Sequence, residues 1–158
     1  MSLNQFRTAL LVAAALLTVT QSPKGNLEYV SADQFTLYSI DGSKETAAKN
    51  LPGPKFHGHL LLGQVEVEQP SLRRALLLAL QEGQSENDQI TVDCFRPRHA
   101  LRVRKGDKVT DYVLCFECRQ FQIVERGLEK WNRISRSPQP VFTAMLKAAN
   151  LPLAHGLH

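Results

Sequence analysis

The chain has 158 residues, of which 43% are hydrophobic and 22% are charged. This length suits one globular domain with its own core, and the composition is that of an ordinary soluble protein, not a disordered or fibrous one. The 19 basic and 15 acidic residues leave a net charge of +4, an excess too weak to indicate nucleic-acid binding.

The first 22 residues have the pattern of an export signal. A polar start with one arginine is followed by an almost uninterrupted run of Ala, Leu and Val over residues 8–19. About 12 apolar residues suit a signal peptide and are too few to cross a bilayer roughly 30 Å thick. We therefore expect residues 1–22 to be a signal peptide or an N-terminal anchor, and the protein to be periplasmic or otherwise exported. Membrane contact is expected only through this segment if it stays uncleaved. The alternative is a cytosolic helix packed on the core.

Residues 23–55 are the least patterned part of the chain. A short strand is predicted within residues 33–40, where Phe35 and Leu37 alternate with polar residues. Residues 43–55 are polar and end in Leu51-Pro52-Gly53-Pro54, which predicts an exposed linker. We place the main domain at residues 56–158.

The main domain starts with a predicted strand and a predicted helix. Residues 56–68 turn from apolar to alternating, and a strand there would place His57 and His59 on one side. The spacing then predicts a helix over Ser71–Glu82, with Ser71 as N-cap and Gly83 as the residue that ends it. Its predicted inward residues are Leu72, Ala75, Leu76, Ala79 and Leu80.

The last part of the chain predicts further strands and a second helix. Short strands are predicted at residues 90–92 and 121–124, and the change of inward parity at the latter predicts a bulge near residues 118–120. A helix is predicted over Pro140–Ala149, with Asn150 in the left-handed conformation after it. Its predicted inward residues are Phe142, Met145, Leu146 and Ala149.

Between these elements lies a β-hairpin whose register can be predicted. Gly106-Asp107 suits a two-residue primed turn, which pairs Lys105 with Lys108 and Leu101 with Tyr112. This register gathers apolar side chains on one face and leaves a polar set, with Cys115, on the other. The fold class predicted is therefore α+β: a mostly antiparallel sheet of four to five strands with two packed helices, plus an N-terminal export helix.

All three cysteines lie on or next to this hairpin, together with a histidine. Cys115 and Cys118 form half of a thiolate site, which Cys94 and His99 could complete as a Cys₃His site for zinc or cuprous copper. In the predicted register these side chains alternate between the two faces. A site would need Pro97 to break the first strand and the bulge to redirect the second.

The same cysteines allow other interpretations. A disulfide could join Cys115 to Cys118, or Cys94 to Cys118 after a register slip of one residue. Thiol–disulfide catalysis is disfavoured, because active CxxC pairs usually begin a helix, whereas this one lies on a strand with Glu117 inside it. The cysteines could also be small buried hydrophobic residues, because Tyr112–Phe116 is continuously apolar, as in a strand covered on both faces.

Four arginines at even positions could form a basic stripe that binds an anion or an acidic partner surface. The alternative is a solvated face on which Asp111 and Glu117 balance the positive charge. No aromatic side chains alternate with the arginines for nucleic-acid stacking. The four residues are Arg96, Arg98, Arg102 and Arg104.

Four short motifs carry a family resemblance: Phe56-His57-Gly58, Cys94-Phe95-Arg96-Pro97-Arg98-His99, Cys115-Phe116-Glu117-Cys118 and Ser137-Pro138-Gln139-Pro140. Over roughly residues 56–153 the chain resembles a group of mostly exported bacterial proteins with FHG, CF-x-PRH and CF-x-C motifs. This chain has Ala100 where glycine commonly follows the histidine. The group has no assigned activity, so the resemblance does not indicate a function. It supports export and implies that the cysteines and His99 belong to one unit.

The sequence thus favours a non-enzymatic extracytoplasmic domain whose Cys94/His99/Cys115/Cys118 cluster binds a metal or forms a structural disulfide. In the metal version Arg96 and Arg98 would favour the thiolate form electrostatically. One alternative is an enzyme in which His99 activates Cys94 as a nucleophile, although no third, orienting group is evident. The other is a module that binds a protein or a small anion through the arginine stripe.

Overall fold

The computed structural model describes residues 27–85 and 94–155. Its strands are β1 (Gln34–Asp41), β2 (Lys55–Phe56), β3 (His59–Glu66), β4 (His99–Lys105), β5 (Lys108–Cys115), β6 (Gln120–Glu125) and β7 (Leu128–Arg133). Its helices are a 3₁₀ helix (Leu27–Ser31), α1 (Lys44–Lys49), α2 (Pro70–Ser85) and α3 (Gln139–Ala148). The predicted export segment at 1–22 and the predicted strand at 90–92 lie outside the described residues.

The strands form one antiparallel sheet in the order β2-β3-β1-β4-β5-β6-β7, which curls into a half-barrel. The α+β class is confirmed, but the expectation of four to five strands and two helices is wrong. The sheet has seven strands, and α1 forms a third α-helix within the predicted linker, where Ser43 caps its first turn. β1, also from the weakly patterned part of the chain, lies between β3 and β4.

Two tight turns account for the additional strands. At His57 and Gly58 the φ angles are 46° and 82°, so the predicted strand at 56–68 is instead a hairpin of β2 and β3 with a type I′-like turn. Arg126 and Gly127, with φ of 51° and 78°, make a similar turn that pairs Glu125 with Leu128 and starts β7. In each turn the two central residues are both in the left-handed conformation, and this reverses the chain direction within two residues.

The predicted register of the β4–β5 hairpin is confirmed. Lys105 pairs with Lys108, Leu101 with Tyr112 and His99 with Leu114. After β5, a four-residue turn at 116–119 leads into β6 and pairs Cys115 with Gln120. Because of this turn, and not because of the predicted bulge, odd-numbered residues of β6 face the core in place of the even-numbered ones of β5. Phe121 is therefore buried.

Different groups pack on the two faces of the sheet. On the first, which we call the helix face, α2 and α3 pack on strand residues such as Leu37, Leu101 and Leu114. On the opposite face a smaller apolar cluster is formed by Tyr38, Ile40, Phe56, Ala100 and Val113. β5 is therefore covered on both sides, as its continuously apolar sequence predicts.

The helices differ in how well they match the prediction. In α3, Phe142 and Leu146 are buried and Asn150 has a φ of 54°, as predicted. In α2 the buried residues include Leu76, Leu77 and Leu80, whereas Leu72 and Ala75 are exposed. The helix also continues through Gly83 to Ser85, so Gly83 does not end it. No helix of the described residues has the length and apolar character needed to cross a membrane.

Candidate functional site

The three cysteines converge at the end of the β4–β5 hairpin. Cys115 is the last residue of β5, and Cys118 lies in the turn that follows. Cys94 begins the described segment that leads into β4. In this segment Arg98 donates its backbone N–H to the carbonyl of Leu114, 3.2 Å away. This bond places the segment beside the end of β5 and brings Cys94 close to the turn.

Cys115 and Cys118 form a disulfide across the turn. Their Cα atoms are 5.2 Å apart, and the backbone N–H of Cys118 donates to the sulfur of Cys115 over 3.3 Å. Arg119, the last residue of the turn, has a φ of 56°. Both half-cystines are buried, with 2% of Cys115 and 0% of Cys118 exposed. Of the pairings that the sequence left open, the structure has the one between Cys115 and Cys118.

Cys94 is the third member of the cluster and is a free thiol. Its sulfur lies 2.8 Å from the sulfur of Cys118, and its side chain is partly exposed. The next residue, Phe95, packs edge-on against Trp131 of β7 with ring centroids 4.7 Å apart. In this cluster of three sulfurs, that of Cys118 therefore contacts both of the others, and Cys94 is the partly exposed member.

His99 lies apart from the sulfurs, on the helix face. Its ring packs against Phe116 and Phe142, and its Nε2 atom is 3.0 Å from the hydroxyl of Thr143 in α3. Burial, and then the positive charge of Arg98, lower the pKa of His99 to about 3, which favours the neutral imidazole. Of the predicted Cys₃His set, the structure thus brings the three sulfurs together and leaves the imidazole in the core. Activation of Cys94 by His99 stays a prediction.

Of the two disruptions that the metal hypothesis required, the chain makes the first, and a turn takes the place of the bulge. β4 begins after Pro97, and the turn at 116–119 brings Cys118 beside Cys115. Even so, within residues 27–85 and 94–155 no group of three or more His, Cys, Asp or Glu side chains is arranged to hold a metal ion. Zinc or copper binding therefore stays a prediction.

The four arginines of the predicted stripe have different surroundings. Arg98 pairs with Glu117 at 2.6 Å and Arg102 with Asp111 at 2.7 Å. Arg104 is exposed at the far end of β4. Arg96 is partly buried, and its Nε has no hydrogen-bond partner in the described part of the chain. Binding of an anion or a partner by this set stays a prediction.

A buried ionic network on the opposite face is not predicted by the sequence patterns. The carboxylate of Asp111, 5% exposed, accepts hydrogen bonds from Nε and Nη2 of Arg102, each 2.7 Å long. Nε2 of His57 lies 2.7 Å from the same carboxylate. The hydrogen bonds to Asp111 raise the pKa of Arg102. The signal that could have indicated this site is the Phe56-His57-Gly58 motif, because a glycine there permits a turn and not a continuous strand.

Comparison of the chain with protein-family models, with curated proteins and with solved structures gives no match.

Proposed function

We propose that this protein is a non-enzymatic extracytoplasmic domain in which the Cys115–Cys118 disulfide stabilises the β5–β6 turn. The observation that carries the proposal is the buried disulfide at the end of a central strand. Disulfides persist mainly in oxidising compartments, which agrees with the export signal predicted at residues 1–22. The resemblance to exported proteins with the CF-x-C motif supports the same location.

The position of the disulfide explains what it would stabilise. The turn that it closes joins β5 to β6, and Phe116 within the turn and Phe121 after it both belong to the main core. Loss of the turn would expose these aromatic side chains. A loop this short restricts the unfolded chain only modestly, so we expect the bridge to contribute about 2 kcal/mol.

The test is the free energy of unfolding, measured by urea titration, for the double variant Cys115→Ala/Cys118→Ala. We expect it to be about 2–4 kcal/mol less stable than the oxidised wild type, because the bridge and two buried sulfurs are lost. Cys94→Ala is the matched control and should retain most of the stability. A wild type whose stability is unchanged by reduction would contradict the structural role of the bridge.

A second function is supported by the cluster of three sulfurs. When reduced, the cluster offers three thiolates, which are soft ligands that suit cuprous copper or zinc. We propose that Cys94, Cys115 and Cys118 would hold the ion and that His99 would stay in the core. The sequence-based site would instead need His99 as the fourth ligand.

Native mass spectrometry distinguishes these two ligand sets. Reduced protein is loaded with Cu(I) or Zn²⁺ without oxygen, and the bound metal is counted for the wild type, Cys94→Ala and His99→Gln. The three-sulfur site predicts loss of metal in Cys94→Ala and retention in His99→Gln. Loss of metal in both variants would favour the Cys₃His site, and a metal-free wild type would overturn metal binding.

A further inference from the structure

The three sulfurs differ in their access to solvent. Cys115 and Cys118 are buried, and Cys94 is partly exposed. A thiol in solution therefore cannot reach the Cys115–Cys118 bridge in the folded protein, but it can reach Cys94. The sulfur of Cys94 in turn lies 2.8 Å from that of Cys118, which is closer than the separation of about 3–3.5 Å at which reacting atoms are well placed.

We propose that Cys94 is the gateway thiol through which low-molecular-weight thiols and disulfides exchange with the buried Cys115–Cys118 bridge. The inference rests on the proposed function, because it requires that bridge. Its first step is internal and needs no outside reagent. The Cys94 thiolate attacks the sulfur of Cys118, a Cys94–Cys118 bond forms, and the Cys115–Cys118 bond breaks. The electron pair goes to the sulfur of Cys115, which takes up a proton.

The second step connects the cluster to solution. An external thiolate attacks the sulfur of the partly exposed Cys94 and forms a mixed disulfide, and Cys118 leaves as a thiolate that takes up a proton. A second external thiol then releases Cys94, so two thiols become one disulfide and the protein gains two hydrogens. The reverse sequence, with an external disulfide as oxidant, closes the buried bridge through the same gateway.

The negative charge of Glu117, which lies beside the sulfurs, is balanced by its surroundings. Glu117 lies between the two half-cystines in sequence, and an unpaired carboxylate there would disfavour a nearby thiolate. In the structure Glu117 is paired with the guanidinium of Arg98 at 2.6 Å. Arg136 also donates to the backbone carbonyl of Glu117 over 3.3 Å. The negative charge beside the sulfurs is therefore balanced.

The test is the rate at which reduced glutathione opens the Cys115–Cys118 bridge in folded protein, followed by rapid alkylation and mass spectrometry. We expect Cys94→Ala to react at least about tenfold more slowly than the wild type, because the bridge must then wait for local opening of the fold. Any destabilisation by the substitution would act in the opposite direction and speed the reaction. Equal rates in the two proteins would overturn the gateway role.

A trapping experiment tests the internal step separately. Cys115→Ala, treated with oxidised glutathione, should form a Cys94–Cys118 disulfide that peptide mapping detects. Cys118→Ala is the matched control and should not form an internal bridge, because the sulfur that contacts both of the others is missing. A Cys115→Ala protein that keeps two thiols or stops at mixed disulfides would overturn the internal exchange step.

The outcomes also separate the gateway role from the structural role of the bridge. If the wild-type bridge is present but Cys94→Ala reacts at the wild-type rate, the gateway role fails and the structural role stands. If Cys115→Ala bridges but the natural protein lacks the disulfide, the structural role fails.

Discussion

His57 and Asp111 are 54 residues apart in the chain, and their side chains meet at 2.7 Å. His57 lies in the turn after β2, and β2 is four strand positions from β5, which carries Asp111. In a flat sheet that separation would be roughly 19 Å. The contact therefore depends on the curl of the sheet, which brings the β2–β3 turn over the opposite face. Phe56 of β2 also lies over this face, because its ring stacks on that of Tyr38 of β1 with centroids 4.4 Å apart.

Asp111→Asn should destabilise the fold by about 3 kcal/mol, because it weakens the hydrogen bonds of a buried carboxylate and leaves Arg102 without its counter-charge. The measurement is urea unfolding at neutral pH. Asp107→Asn makes the same chemical change at an exposed position in the β4–β5 turn, and it should stay within about 0.5 kcal/mol of the wild type. Equal stabilities for the two variants would show that the network contributes nothing to the fold.

Gly83→Ala should destabilise the protein by about 1–3 kcal/mol through overpacking. A Cβ built on Gly83 would lie 2.5 Å from Cγ of Pro138 and 2.9 Å from Cγ1 of Ile134. In an open helix the same change usually stabilises by up to about 1 kcal/mol, so the sign of the effect is decisive. Thermal or urea unfolding measures it, with Arg74→Ala on the exposed side of α2 as control. A stabilised Gly83→Ala protein would contradict this packing.

His99 should make the protein less stable as the pH falls. Its folded-state pKa of about 3 lies below the ordinary value of 6.5, so the unfolded chain binds the extra proton between these values. The contribution is fully present above pH 6.5 and is lost as the pH falls towards 3. Between pH 7 and pH 5 the loss attributable to His99 is about 2 kcal/mol.

The check is the difference in unfolding free energy between pH 7 and pH 5 for the wild type and for His99→Gln. The variant should lose most of this pH dependence and keep a smaller part, because burial also lowers the pKa of His59. His59 is only half-buried, so His59→Gln should remove less of the dependence than His99→Gln. A His99→Gln protein with the full wild-type dependence would show that His99 is not responsible.

The β4–β5 hairpin could be predicted because two independent constraints agree. The Gly106-Asp107 turn sets the register, and the apolar residues of both strands then fall on one face. The cluster of sulfurs was predicted only in part, because its geometry depends on the turn at 116–119, which the sequence presented as a bulge.

Other features left little trace in the sequence. β7 has no apolar alternation, since it is an edge strand on which Leu128 and Trp131 are 77% and 51% exposed. The main signal for β7 is the Arg126-Gly127 turn. The network of His57, Arg102 and Asp111 depends on the curl of the whole sheet, which local periodicity does not encode. The position of Gly83 in the sequence predicts the end of a helix, although its role in the structure is to let the loop before α3 pack against α2.

The disulfide connectivity of the protein isolated from its natural compartment is the most direct test of the proposed Cys115–Cys118 bridge. Free thiols are alkylated in the cell extract, and the peptides that contain Cys94, Cys115 and Cys118 are then mapped without reduction. We expect a Cys115–Cys118 bridge and an alkylated Cys94. Alkylation of all three cysteines in the folded, metal-free protein would contradict this expectation.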